Sequence, residues 1–149
     1  MNELYDKHGI QFRYPADWEL AEQATENGVS VLVQSSETSF WSVFLDSDGP
    51  DPENMLDAAL EAFRLEYSEV DDYPPESGFC HRGAVGRIVE FLCLDWVNTA
   101  CLRAFRTSQF SVLVLYQATD REFQKTRSRL EAMTRSLTCS GDEPPFPGG

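Results

Sequence analysis

Apolar and polar positions alternate through Ile10, Phe12 and Tyr14, the period-two pattern of a half-buried strand over residues 10–14. Pro15 closes the run, because proline has no N–H to give a ladder. The following PADW reads as a turn, with Trp18 ready to cap the core. Residues 29–34 (VSVLVQ) and 40–45 (FWSVFL) predict two further strands across the polar, turn-like QSSETS. The period then changes. Met55, Leu56, Ala59, Leu60, Phe63 and Tyr67 recur at helical spacing. DGPDPENM supplies the start: Asp51 as N-cap, Pro52 at the first helical position, and Glu53 at the positive end of the helix dipole. A helix is predicted over residues 52–67.

EVDDYPPESG is a loop with room for a short edge strand. Residues 84–94, 99–106 and 110–117 then predict three consecutive antiparallel strands, joined by the short links DWVN and TSQ. Several are apolar on both faces, as strands in a sheet covered on both sides are. Thr119-Asp-Arg-Glu122 matches a capping box, and a last helix to about residue 137 follows, with Phe123, Leu130, Met133 and Leu137 on its inner stripe. The Pro- and Gly-rich residues 140–149 predict a disordered tail, which leaves residues 1–139 as one domain.

The opening strand with Phe12, Tyr14, Pro15 and Trp18, the mid-chain helix, the three-strand meander and the closing helix together resemble the PsbP-like group across residues 4–138. The resemblance implies an α+β fold, a single antiparallel sheet flanked by helices. In it the first strand enters the sheet and the Pro-x-x-Trp turn sends the chain back along it. The group includes photosystem II extrinsic proteins, a Ran-binding nuclear import factor, DcrB-like proteins and Eag-type secretion chaperones. Its members bind proteins or cofactor assemblies and share no chemistry, so the resemblance carries fold rather than function.

At 149 residues and 42% hydrophobic content, a single domain can bury a core without staples. No run approaches the roughly 20 apolar residues that span a bilayer, and MNELYDKHGIQF lacks the charged-then-apolar layout of a signal sequence. The expectation is a soluble cytoplasmic protein. The net charge is −13, and it is lopsided: residues 1–78 carry 3 basic and 18 acidic side chains, residues 79–149 carry 9 and 7. Such a chain repels nucleic acid and anionic membrane over long range, and a basic protein segment is the charged partner that fits.

The catalytic inventory is thin. There is no GxSxG elbow, no phosphate-binding Gly-rich loop and no HExxH helix. Cys80 and His81 are adjacent, so on a strand they point to opposite faces; a metal site from His81 with Cys80, Cys93 or Cys101 needs the strands to bring them together. Cys93 and Cys101 flank the turn expected at residues 95–98 and could face each other across two strands. Asp46, Asp48 and Asp51 have a hint of calcium-loop spacing, but Gly49 and Asp57 fall at the wrong positions for an EF-hand; a turn plus a helix cap accounts for the same residues. No catalytic residue, cofactor or metal is expected.

Three surfaces suggest recognition instead. Glu53, Asp57 and Glu61 recur every four residues on the first helix, where each like-charge pair costs roughly 0.2–0.5 kcal/mol. Arg121, Lys125 and Arg129 recur likewise on the last helix. Both rows are either solvated faces or recognition surfaces: the acidic row for a basic partner, or the two rows for each other in a homodimer. Trp96 sits at an expected hairpin tip, either exposed as a binding anchor or folded back onto the sheet. The expected function is a non-enzymatic protein-binding module or adaptor. The alternatives are a chaperone for a secreted effector, which needs an exposed apolar groove, and an enzyme or ligand binder whose pocket gathers residues distant in sequence.

Overall fold

A computed structural model describes residues 2–75 and 83–140. Ten strands and two helices follow in the order β1 (Asn2–Lys7), β2 (Ile10–Pro15), β3 (Glu19–Thr25), β4 (Gly28–Gln34), β5 (Phe40–Asp46), α1 (Pro52–Glu66), β6 (Ser68–Tyr73), β7 (Val85–Cys93), β8 (Trp96–Arg106), β9 (Ser111–Thr119), α2 (Asp120–Ser136) and β10 (Thr138–Cys139). The sheet is not single. Seven strands form one antiparallel sheet in the order β3-β4-β5-β9-β8-β7-β6, and β1, β2 and β10 form a second, with β2 in the middle. The alternating strand at residues 10–14 therefore belongs to the small sheet and does not enter the large one. Its hairpin partner β1 pairs Tyr5 with Phe12. Pro15 ends β2, and Trp18 N–H donates to the Pro15 carbonyl at 3.1 Å, so PADW is the turn that carries the chain from the small sheet to the edge of the large one.

Both faces of the large sheet are apolar because both are covered. On one face Met55, Leu56, Leu60 and Phe63 of α1 pack on Val89, Phe91, Ala100, Leu102 and Ala104. The helix crosses β9, β8 and β7 on its way from β5, in the middle of the sheet, to β6 at its edge. On the other face α2 brings Leu130, Met133 and Leu137 onto Trp41, Val43, Val112 and Val114, and the small sheet fills the remainder with Tyr5, Ile10 and Phe12. The Phe12 ring centroid lies 4.7 Å from that of Trp41, and the buried Trp41 Nε1 donates to Thr134 Oγ1 at 3.0 Å. This gives the indole both an apolar bed and a partner for its one donor.

The start of α1 follows its sequence signals: the Asp51 carboxylate accepts from Asn54 N–H at 3.3 Å, with Pro52 at the first position. Asp46 accepts from Asp48 N–H at 3.0 Å in the preceding turn, so two of the three aspartates in this stretch have local backbone roles. The start of α2 departs from expectation. Thr119 is the N-cap but makes no side-chain cap bond. Glu122 does not reach back to Thr119. It accepts from Thr38 N–H at 2.7 Å, from Ser35 Oγ at 3.0 Å, and from the Thr38 hydroxyl. The capping-box glutamate is thus recruited as a tertiary clamp holding the β4–β5 turn against α2, and Thr38 Oγ1 lies 3.1 Å from Thr119 Oγ1.

The register also corrects the cysteine pairing. Cys101 sits opposite Ile88, and Cys93 opposite Trp96. The two thiols are far apart along the hairpin and, by strand alternation, on opposite faces, and Cys93 and Cys101 form no disulfide. Cys80 and His81 lie outside the described residues, as does the tail from residue 141; Ser140 N–H donates to the Gly9 carbonyl at 2.7 Å.

Burial alone would push the Glu122 carboxyl up, but its hydrogen bonds from Thr38, Ser35 and Ser39 outweigh that and hold it below the ordinary value near 4.5. A depressed carboxyl contributes stability that is complete above its unfolded pKa and lost as pH falls through the folded one. Glu122→Gln should therefore cost about 1 kcal/mol at neutral pH, and the gap to the parent chain should close as pH drops below about 4.5. Urea unfolding at pH 7 and pH 3 checks this; a gap independent of pH would show that the clamp does not depend on charge.

Candidate functional site

The acidic row stands where it was expected. Glu53, Asp57 and Glu61 are exposed on the outer face of α1. The next residue in the same every-fourth series is Leu65, 80% exposed, so the row runs from charge into an uncovered apolar side chain. It does so at the end of the helix whose Tyr67 cap packs at a tilt against Phe91, ring centroids 4.3 Å apart. Phe91 is two residues from the end of β7, so Leu65 and the β7–β8 turn share one end of the molecule.

That turn is tighter than expected. It consists of Leu94 and Asp95 alone, with Cys93 opposite Trp96, rather than residues 95–98. Leu94 has φ 53° and Asp95 φ 67°, the left-handed pair that a two-residue hairpin demands and that Asn-Gly or Asp-Gly ordinarily supplies. A leucine there is costly twice, once for the backbone and once for its exposure. Leu94 is 88% exposed, and the two residues that open β8 stay half uncovered, Trp96 at 45% and Val97 at 44%. Trp96 is thus not folded away onto the sheet; the Arg121 guanidinium lies over its ring, 5.1 Å from the centroid. Among the described residues, Leu94 and Leu65 are the most exposed large apolar side chains. Leu94, with the half-exposed Trp96 and Val97 that follow it, projects as a knob at the turn, and Leu65 stands uncovered in the last turn of α1.

The basic row is partly committed. Arg121 covers Trp96, and Arg129 pairs with Asp17 at 3.2 Å, holding the Asp17 carboxyl below the usual range. A pair this exposed contributes little. Lys125 is exposed between them. The row therefore supports its own fold at two of three positions.

A cavity of about 560 Å³ opens between α2 and the faces of β6, β7 and β8. Its middle is Ile88, Cys101, Tyr116 and Phe123; Glu90, Asp120 and Glu131 line it as carboxylates, and Arg103, Arg127 and Arg135 as cations. Burial pushes the Cys101 thiol up, against the opposing pull of a Tyr116 hydrogen bond and of the Arg103 and Arg127 charges. Burial, with Cys101 beside it, pushes the Tyr116 phenol well up. Both groups hold their protons near neutrality, so neither is an activated nucleophile. Among the described residues, no three of His, Cys, Asp and Glu converge as a metal cage, and no helix is long and apolar enough to cross a membrane.

Of the cavity residues, Cys101 stood out in the sequence only as a candidate metal ligand or partner of Cys93, and Phe123 only as a core residue; no residue pointed to a cavity, and neither Leu94 nor Leu65 stood out. Leu94 had one readable signal, an apolar residue where a two-residue turn wants Asn or Gly. The cavity had none, because its residues come from five elements.

A broad antiparallel sheet with a helix on each face and a small sheet completing one of them is the PsbP-like fold. Solved structures agree. The chain is similar to LpqN, involved in cell envelope biogenesis of Mycobacterium tuberculosis, with TM-score 0.53 and 12% identity over 94% of this chain and 91% of that one. It is also similar to cyanobacterial PsbP (CyanoP) from Synechocystis sp. PCC 6803, with TM-score 0.50 and 16% identity over 93% and 92%. No protein-family model and no curated protein sequence matches the chain.

If Leu94 is kept for a reason other than folding, replacing it should help the fold. The double exchange Leu94→Asn with Asp95→Gly should raise the unfolding free energy by about 1 kcal/mol, the cost of one left-handed non-glycine residue. Chemical denaturation measures it; a loss of stability would mean that the leucine packs usefully in the native state.

Proposed function

We propose that the chain is a cytoplasmic, non-enzymatic binding module that docks a basic protein partner at the end of the molecule formed by the β7–β8 turn and the last turn of α1. The observation that carries this reading is the exposed knob of Leu94, Trp96 and Val97 on a left-handed turn. A sequence that holds a leucine at φ 53° and almost wholly in water gives up stability at that point, and such local costs collect at sites of function. Tryptophan and arginine, here Trp96 with Arg121 over its ring, are among the residues most enriched at interface hot spots. The acidic row on α1 leads directly to this knob, and its charge favours a basic partner and speeds the encounter. The thiol and phenol that keep their protons in the cavity favour binding over catalysis. The description of LpqN as involved in envelope biogenesis belongs to that protein, and at this identity only its fold bears on the present chain.

The test is affinity capture from native lysate at two salt concentrations, with the parent chain, the Leu94→Asn/Asp95→Gly exchange, and a triple reversal of Glu53, Asp57 and Glu61 to Lys. The expected result is a specific protein held at low salt, released at high salt, and lost with both variants. A retained set that is the same for all three chains would overturn the reading. Recovery of the native chain in the envelope fraction would overturn its cytoplasmic part.

A further inference from the structure

The cavity beside α2 is a second feature, separate from the docking knob. Its two ends differ chemically. In the β7–β8 register Glu90 faces Thr99, Ile88 faces Cys101, and Gly86 faces Arg103. Four residues of strand, about 13 Å, thus separate an acidic end from a basic one, with an apolar middle.

At the acidic end the carboxylates have hydrogen-bonding work. Asp120 accepts from the Thr99 hydroxyl at 2.8 Å. The Tyr73 phenol, pushed up by burial and by the Glu90 charge, also bonds Glu90. Further along α2, Glu131 is taken by Arg127 at 3.4 Å.

The basic end is built at visible cost. Arg103 stands in the middle of an otherwise buried strand, flanked on its own face by Cys101 and Phe105. Room for its guanidinium exists because residue 86 has no side chain: a Cβ there would come within 2.8 Å of Arg103 Nη1 and 2.9 Å of the Leu102 carbonyl. Arg103 Nη1 donates to that carbonyl at 3.1 Å, which fixes the fork toward the cavity wall. Arg135 lines the same cavity from α2. The neighbouring thiol and phenol stay neutral; the carboxylate near this end is Glu131, one turn before Arg135 and paired with Arg127, so three arginines face one carboxylate here. A planar guanidinium fork held in place is the group best suited to a carboxylate or sulfonate, and the adjoining surface of Ile88, Tyr116 and Phe123 suits an apolar body.

We propose that this cavity binds a small organic anion with an apolar body, the acidic group held by Arg103 and Arg135 and the body lying against Ile88, Tyr116 and Phe123.

The probes are 8-anilinonaphthalene-1-sulfonate and its neutral counterpart N-phenyl-1-naphthylamine, titrated by fluorescence in the Leu94→Asn/Asp95→Gly background so that the exposed knob does not compete. One sulfonate probe per chain should bind saturably. Arg103→Gln should weaken it at least tenfold and leave the neutral probe within twofold. Arg135→Gln, at an exposed position where folding is not at risk, should weaken the sulfonate several-fold with the same selectivity. Thermal melts of each variant identify any that fails to fold, in which case Arg135→Gln alone decides. Absence of saturable sulfonate binding, or equal weakening of both probes, or no effect of either substitution, would overturn the proposal.

Discussion

One face of the seven-stranded sheet is too wide for a single helix. The long apolar strands β4, β5 and β9 would leave Val31, Val43 and Trp41 in water if α2 alone lay on them, and the whole arrangement depends on how that gap is closed. The chain closes it with the small sheet, whose Phe12 ring packs on Trp41 while Thr134 of α2 satisfies the same indole. Trp41 is fully buried at this junction. Burying a ring of this size is among the larger single contributions available to a domain. It ties the first strands of the chain to the last helix, so the ends of the sequence close the fold together. β10 makes the same closure through backbone pairing, with Thr138 opposite Gln11.

The two candidate surfaces are placed by what this packing leaves over. α1 and α2 cover β8 from opposite sides, and the β7–β8 hairpin runs past both, so its turn stands clear at one end. The cavity has a similar origin. α2 is drawn toward Trp41 and the small sheet, which leaves the face of β6, β7 and β8 beside it open. Both candidate surfaces thus follow from the geometry of covering a broad sheet with two helices and a small sheet, and in each the expensive residue, Leu94 or Arg103, lies where a folding-only sequence would have chosen differently.

The sequence was legible where one physical rule acted alone. α1 began where Asp51 and Pro52 placed it and ended one residue earlier than expected, at Glu66, with Tyr67 as the cap. The meander strands were readable because apolar residues on both faces demanded two covers. The edge strands β1 and β3 were not, because an exposed edge carries mostly polar side chains and looks like loop; Glu19–Thr25 has no buried residue. The division into two sheets was hidden for a related reason: Ile10, Phe12 and Tyr14 face a core, and the pattern does not say which sheet hydrogen-bonds them. Glu122 matched a local motif and was taken by a tertiary partner instead, since Thr38 and Ser35 offer more donors than one cap. The acidic row was legible, but its continuation into Leu65 acquired meaning only once the neighbouring turn was in view.

The central claim is that the turn at Leu94 is a contact point for another protein. The most direct measurement places a photo-crosslinking amino acid, p-benzoylphenylalanine, at position 94 in the native cell, with a matched chain carrying it at the exposed Glu26 of the β3–β4 turn. Irradiation should give one discrete protein adduct from position 94 and none of the same mass from position 26. No adduct at position 94, or the same adducts from both positions, would contradict the account.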